Sequence, residues 1–479
     1  MRQLKCIQFM VMALGGLFLS DAYANSSKLY SLTDTEMSET TGQSLMSLTY
    51  ISPKDALNVE SQRTGITDPS NGGIGFYKLG LEGTLELNLN IKKLQLGCGG
   101  INGSASSTNT GCDIDIDYLS LSGLGNSATS NTDSASDRNA RAGSSALLTN
   151  PFIQFAIKNP NSAATRQVVG LNLSAEKALG LITFGLENGP AKSGINSLSG
   201  YMQIATTTGI ANVNGFGSSL VSGESAKGSL KQSNGYDPIS GEVCCTLFGT
   251  GNIPFTTTAY DLNLRDRVSG SNVLKGDLVL EQQAITGKRI TNAPLTATAK
   301  VRDISLTGTI DATARALGFI NVPLTGKNVT GTIQNLMVDV AINEDLGYFH
   351  KASLNGTAAS LSLQSQDIQW TNNVSVSQKG WWLEFSNPID IGFIEPALNV
   401  DIPKATLNEA FRQVSNYLKS DEGRIFCGNN LASNCLFGGD IPVGTVNLIN
   451  ATRPQMGLTN LELATQKFTP NCYGTLKFC

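Results

Sequence analysis

The chain of 479 residues holds one histidine, His350, in the segment Gly347-Tyr348-Phe349-His350-Lys351. Nucleophilic catalysis of the Ser–His kind needs that imidazole as its general base, and no Gly-x-Ser-x-Gly elbow accompanies it. A histidine on a strand face or at the surface is the reading its surroundings favour. Gly326-Lys327 is followed by Asn328 and has no Gly five residues earlier, so the phosphate-cradling loop is absent. Asp113, Asp115 and Asp117 are the most chemically suggestive set. Carboxylates about 7 Å apart on one strand face repel unless cations or lysines answer them. The set matches the Asp-x-Asp-x-Asp opening of a calcium loop, but Tyr118 stands where Gly is needed and Leu124 where the bidentate Glu belongs. It reads as a solvated strand face, with calcium as the alternative. Trp370, Trp381 and Trp382 could stack on a sugar, yet aromatic pairs in strands more often pack in a core or interface. No catalytic residue, cofactor or metal is assigned.

The cysteines carry more information. Of nine, Cys6 lies in an apparent export signal, which leaves eight. Cys98 and Cys112, Cys427 and Cys435, and Cys472 and Cys479 are close in sequence, while Cys244 and Cys245 are adjacent. Three short-range pairs suggest disulfide clips across hairpins or loops, as an oxidising compartment favours. Cys244 and Cys245 form a vicinal bridge or pair elsewhere. Zinc would want Cys-x2-Cys spacing or clustered His, and neither is found.

Arg2 and Lys5 precede an apolar stretch from Phe9 to Leu19, and Ala22-Tyr23-Ala24 offers small residues for a signal peptidase. Cleavage is expected after Ala24. The apolar run is about half the ~20 residues that span a bilayer, so a retained anchor is the weaker reading. Charged residues make up only 15% of the chain, with 34 Lys+Arg against 38 Asp+Glu, where roughly 25% is usual. That excludes an electrostatic nucleic-acid binder, which needs a concentrated basic footprint. Aromatic content of 7% also argues against an outer-membrane barrel with aromatic girdles.

These groups must be positioned mainly by strands. Leu79, Leu81, Leu85, Leu87, Leu89 and Ile91 alternate with polar residues, predicting a long strand with one buried face. The parity flips at Lys92-Lys93, where a bulge or turn belongs. Leu94, Leu96, Cys98 and then Cys112, Ile114 and Ile116 share the new parity on either side of a polar loop, so the Cys98–Cys112 bridge gains support. Residues 123–146, rich in Ser, Asn, Thr and Ala, read as a mobile loop. Strand signals return at 152–157, 168–173 and 181–184. The phrases Leu306-Thr307-Gly308-Thr309, Val329-Thr330-Gly331-Thr332 and Leu354-Asn355-Gly356-Thr357 suggest repeated hairpins, or chance in a Gly/Thr-rich chain. Two short helices are expected. One starts at the capping box of Thr33 and Glu36 and cannot hold itself together alone. The other starts at Thr406 and Glu409 and carries the stripe Leu407, Phe411, Val414 and Leu418.

The run Leu32-Thr33-Asp34-Thr35-Glu36-Met37…Thr41-Gly42-Gln43 resembles the N-terminal motif of exported proteins of Gram-negative gammaproteobacteria. Leu94-Gln95-Leu96-Gly97-Cys98-Gly99-Gly100…Gly111-Cys112-Asp113-Ile114-Asp115-Ile116-Asp117 is similar to the segment that follows in some members. Several belong to pilus systems or surface filaments, as does the first component of the fil pilus system of Acinetobacter-like bacteria. The likeness covers roughly residues 25–125. It implies export and association with other subunits, and it brings no catalytic residues.

The expected fold is mainly β, with long antiparallel strands in an elongated sheet or sandwich and two short helices. The expected segments are a signal peptide (1–24), an N-terminal helical segment (25–50), a β-rich domain (51–402) and a helix with a disulfide-stapled C-terminal part (403–479). The expected function is that of an exported, non-enzymatic structural or adhesive protein of a pilus-like assembly, at the periplasm, outer membrane or cell surface. Its partners would be other subunits, with no nucleic acid and no membrane span after signal removal. The alternative is a periplasmic or outer-membrane-associated β module that binds lipid or another apolar ligand.

Overall fold

The computed structural model describes residues 46–63, 73–99, 111–123, 143–185, 192–214, 229–244, 251–316, 318–389, 393–396, 398–426 and 440–459. The chain divides into two compact units, Met1–Leu45 and Met46–Cys479. The first, with the expected N-terminal helix, lies outside the described residues. So do segment 124–142 and Cys245, Cys427, Cys435, Cys472 and Cys479.

The fold is mainly β, and among the described residues the strands divide among three sheets rather than one elongated sheet. The first strands are β1 (Met46–Ile51), β2 (Ile74–Leu81), β3 (Thr84–Leu87), β4 (Leu89–Leu96), β5 (Ile114–Ser122), β6 (Ala146–Lys158), β7 (Gln167–Thr183) and β8 (Ile195–Ile204). There follow β9 (Thr207–Asn214), β10 (Leu230–Lys231), β11 (Ser240–Cys244), β12 (Ile253–Asp266), β13 (Val273–Leu280), β14 (Gln283–Ile290), β15 (Asn292–Val301) and β16 (Ile304–Ala316). The last are β17 (Ile320–Gln334), β18 (Met337–Asp345), β19 (Lys351–Gln364), β20 (Gly380–Ile389), β21 (Val400–Asp401), β22 (Ile425–Phe426), β23 (Asp440–Asn447) and β24 (Gln455–Thr459), with one α-helix, α1 (Lys404–Leu418), between β21 and β22. Among the described residues no helix is long and apolar enough to cross a membrane.

The alternating run from Leu79 to Ile91 is not one strand but parts of β2, β3 and β4. The break at Gly83 is held by Asn150, whose left-handed backbone (φ 47°) lets its amide N–H and side chain bond both polar groups of Gly83. The parity flip at Lys92-Lys93 lies within β4, opposite Tyr118 of β5, which sits at φ 50°. The segments read as 168–173 and 181–184 are one strand, β7. Two of the Gly-Thr phrases face each other across the β16–β17 hairpin, with Leu306 opposite Gly331 and Gly308 opposite Val329. The third belongs to β19, in a different sheet, so the repeat does not extend to it.

The first sheet has eleven strands in the order β1-β2-β6-β7-β19-β20-β8-β5-β4, with β3 beside β6 and β14 beside β8. Because β5 also pairs with β7, strands β7, β19, β20, β8 and β5 close into a ring. The second sheet runs β22-β11-β12-β16-β17-β23, with β10 beside β12, and the third runs β21-β9-β13-β15-β18-β24. The outermost strand at each end of these two sheets comes from residues 400–459 and lies parallel to its neighbour. One stretch of chain thus finishes four sheet edges.

Helix α1 begins two residues before the expected capping box. Pro403, with φ fixed at −58°, sets its start. Thr406 does not cap. Its hydroxyl donates to the Gln455 carbonyl of β24, while Glu409 pairs with Arg412. The apolar stripe behaves as expected, since Leu407, Phe411, Val414 and Leu418 are all buried, and Tyr236 and Tyr260 meet the edge of the Phe411 ring. The main core runs through all three sheets and this helix. A second, smaller core of Ile51, Ile74, Phe76, Ala156, Val169, Ile368 and Trp370 lies under the connection 365–379. Replacing Trp370, fully buried against Phe76, by Ala should cost about 3–5 kcal/mol, read as a shift in the urea unfolding midpoint.

Candidate functional site

Cys98 and Cys112 form the disulfide expected from their shared parity. Cys244 is also disulfide-bonded, and its partner lies outside the described residues. Directly after Cys112, Asp113 turns inward and is only 1% exposed. Its Oδ1 accepts from Arg289 Nε at 2.9 Å and its Oδ2 from the Trp381 backbone N–H at 3.0 Å. Arg289 Nη2 donates to the Gly97 and Gly99 carbonyls. Arg289 sits in the left-handed region (φ 51°) within a bulge of the β8–β14 ladder, and this turn aims the guanidinium at the disulfide loop. The ion pair fastens that loop to β14 and to the start of β20.

Asp113 is therefore not part of a solvated face. Asp115 and Asp117 do share an outer face, and their charge is answered by protein. Lys93, across the ladder on β4, reaches Asp115 at 2.6 Å and Asp117 at 2.9 Å. Asn196 donates to both. Burial alone would raise Asp115, but hydrogen bonds from Lys93, Gln95 and Asn196 outweigh it and hold the carboxyl below its ordinary value. Among the described residues, no three His, Cys, Asp or Glu side chains are grouped to hold a metal ion.

His350 is buried rather than at the surface. Its Nδ1–H donates to the Phe184 carbonyl at 3.1 Å, and burial holds its pKa below the ordinary value. The tryptophans do not form one platform. Trp370 and Trp382 are buried, while Trp381, one residue from Trp382, faces the opposite side of β20. Trp382 Nε1 donates to Ser375 Oγ. Beside it lies a group the sequence reading passed over, the fully buried Glu384. Its carboxylate accepts from the backbone N–H groups of Val374 and Ser375 and from Ser375 Oγ. It clamps the connection 365–379 onto one face of the first sheet, where Gln154, Asn172 and Ser362 are also buried.

The other face of the same six strands is apolar. In register across β1, β2, β6, β7, β19 and β20 run Tyr50, Tyr77, Phe155, Leu171, Leu363 and Trp381. The parallel rung, two residues along, is Leu48, Leu79, Ile153, Leu173, Leu361 and Leu383. Toward β20 the rungs pack on the main core, through Leu361, Trp381 and Leu383. Toward β1 they emerge into solvent, with Phe155 and Tyr50 exposed and Leu48 at 74%. The last strand, β1, has neither charge nor proline, and among the described residues no strand pairs with the outer side of residues 47–51. Four other sheet ends carry a usual guard, a charge, a proline or a very short strand, while β24 (Gln455–Thr459) is short and uncharged. β4 carries Lys92 and Lys93, β23 carries Pro442, and β21 and β22 are two residues long. In general, exposed apolar faces and open strand edges favour association.

Two tests follow from the buried charges. Asp113→Ala strands the Arg289 guanidinium and should cost about 3–5 kcal/mol, while Asp113→Leu combined with Arg289→Met should cost much less, both read by urea unfolding. Burial pushes Glu384 above its ordinary value of 4.5, against the pull of its hydrogen bonds from Ser375 and Val374. The native state then holds that proton more tightly than the unfolded chain. Its contribution to stability is complete below pH 4.5 and is lost as pH rises through the higher folded value. Thermal unfolding of Glu384→Gln should fall less than the parent's across that interval; parallel curves for the two proteins would contradict this.

Compared with family models, with curated proteins and with solved structures, the chain matches none.

Proposed function

We propose that this protein is an exported, non-enzymatic structural or adhesive subunit of a pilus-like assembly at the cell surface. It joins its neighbours by accepting an extended strand along the outer side of β1. The observation that carries this reading is the pair of apolar rungs that leave the core and end at the uncharged edge Ser47–Tyr50. Strand addition uses the two features found together there. The open ladder supplies main-chain hydrogen bonds, and the alternating side chains Leu48 and Tyr50 supply apolar contact on one face. The incoming strand would continue the rungs, so the chemistry it needs is an extended, uncharged segment with alternate large apolar residues.

The paired cysteines, the signal-like first 24 residues and the likeness of residues 25–125 to exported pilus-system proteins support export and assembly. The groups that first suggested chemistry support a non-enzymatic role. Asp113, Asp115 and Asp117 are occupied by Arg289, Lys93 and Asn196, and His350 is engaged inside the core.

Leu48→Lys places a charge at the middle of the edge, a common natural guard against strand pairing. Since Leu48 is mostly exposed, the variant should unfold like the parent. Its incorporation into cell-surface assemblies, measured by surface labelling and fractionation, should drop about tenfold or more, as the loss of about 1.4 kcal/mol of association energy predicts. Equal incorporation of parent and variant, or a parent found only as a free periplasmic monomer, would overturn the proposal.

A further inference from the structure

A second feature, remote from the β1 edge, points to a ligand. Between the second and third sheets, with α1 as a further wall, lies a cavity of about 70 Å³. Protein interiors are close-packed, and voids of this size are few. Four small residues on four elements meet around this one: Ala211 of β9, Gly276 of β13, Ala299 of β15 and Ala410 of α1. At Gly276 a Cβ would come no closer than 3.8 Å to Val213 and 4.0 Å to Ala299, so a larger side chain has room there. The void is thus set by side-chain size at several separate positions.

Its lining decides the chemistry. A buried water needs about 10–15 Å³ and two to four polar partners. The volume suffices several times over, but the lining is aliphatic and aromatic apart from Thr406, whose hydroxyl already donates to the Gln455 carbonyl. Cavities of this character stay dry and take up apolar molecules. Leu264, Phe411 and their neighbours offer dispersion contact on every side and no group to hold a polar head. α1 is the wall that belongs to neither sheet. The strands on either side of it, β21 and β22, pair over only two residues each.

We infer that this cavity is a binding site for the aliphatic end of a single acyl chain, with α1 as the element that admits it. A fluorescent polyene fatty acid, cis-parinaric acid, titrated into the purified mature protein provides the test, with lauric acid as competitor. The parent should enhance the probe's fluorescence and lauric acid should displace it. Ala410→Leu and Gly276→Val fill the void from two different elements, α1 and β13, and each should bind the probe about tenfold more weakly or worse, with an unchanged circular dichroism spectrum. If one variant fails to fold, the other still decides, because the two lie on different elements. A parent that gives no displaceable signal, or a folded filled variant that binds as the parent does, overturns the inference.

Discussion

A β-sheet cannot end without leaving a row of backbone N–H and C=O groups, and this chain is organised around where those rows are closed. In the second and third sheets, residues 400–459 supply the outermost strand at all four ends. β21, β22, β23 and β24 each add a parallel strand to an outer antiparallel one. α1 lies within the same stretch, so edge closure and the placing of the helix stripe on the core are one event in the sequence. In the first sheet, β5 bridges β7 and β8 and turns part of the sheet into a ring. Only toward β1 does the sheet run out with neither a covering strand among the described residues nor a charged or proline guard.

The ring depends on a buried charge pair. The disulfide fixes the ends of the loop before β5, and the Asp113–Arg289 pair fixes that loop to β14 and β20. Such a pair is costly to bury, and breaking one side leaves the cost uncompensated. It therefore ties the docking of β5 to a geometry that keeps both charges paired. That docking leaves one face of the six-strand region covered by the Glu384-clamped connection, and the opposite apolar face running outward to Leu48.

Much of the fold was legible in the residues. Alternation identified β5 and the strand character, though not the breaks, of Leu79 to Ile91, shared parity paired Cys98 with Cys112, and four apolar residues spaced along one helical face marked the buried side of α1. What escaped was set by partners distant in sequence. The break at Gly83 depends on Asn150, the helix start on Pro403 and Gln455, and the repeat on which sheet each hairpin joins. The candidate site was hidden for a similar reason. Tyr50 fell at the end of the segment expected to be helical, Phe155 read as an ordinary strand residue and Trp381 as one of a tryptophan set, and only the strand order β1-β2-β6-β7-β19-β20 aligns them with Leu363. The Asp ladder misled because its cations, Lys93 and Arg289, lie 20 and more residues away.

The central claim is that the outer side of β1 is where a neighbouring subunit adds its strand. Backbone amide exchange over Ser47–Tyr50 addresses it most directly, compared between the assembly isolated from cells and the same protein dissociated into monomers. The account predicts that β1 amides are protected in the assembly and exchange quickly in the monomer, while the amides of β7 and β19 stay protected in both. Fast exchange along β1 in an intact assembly would contradict it.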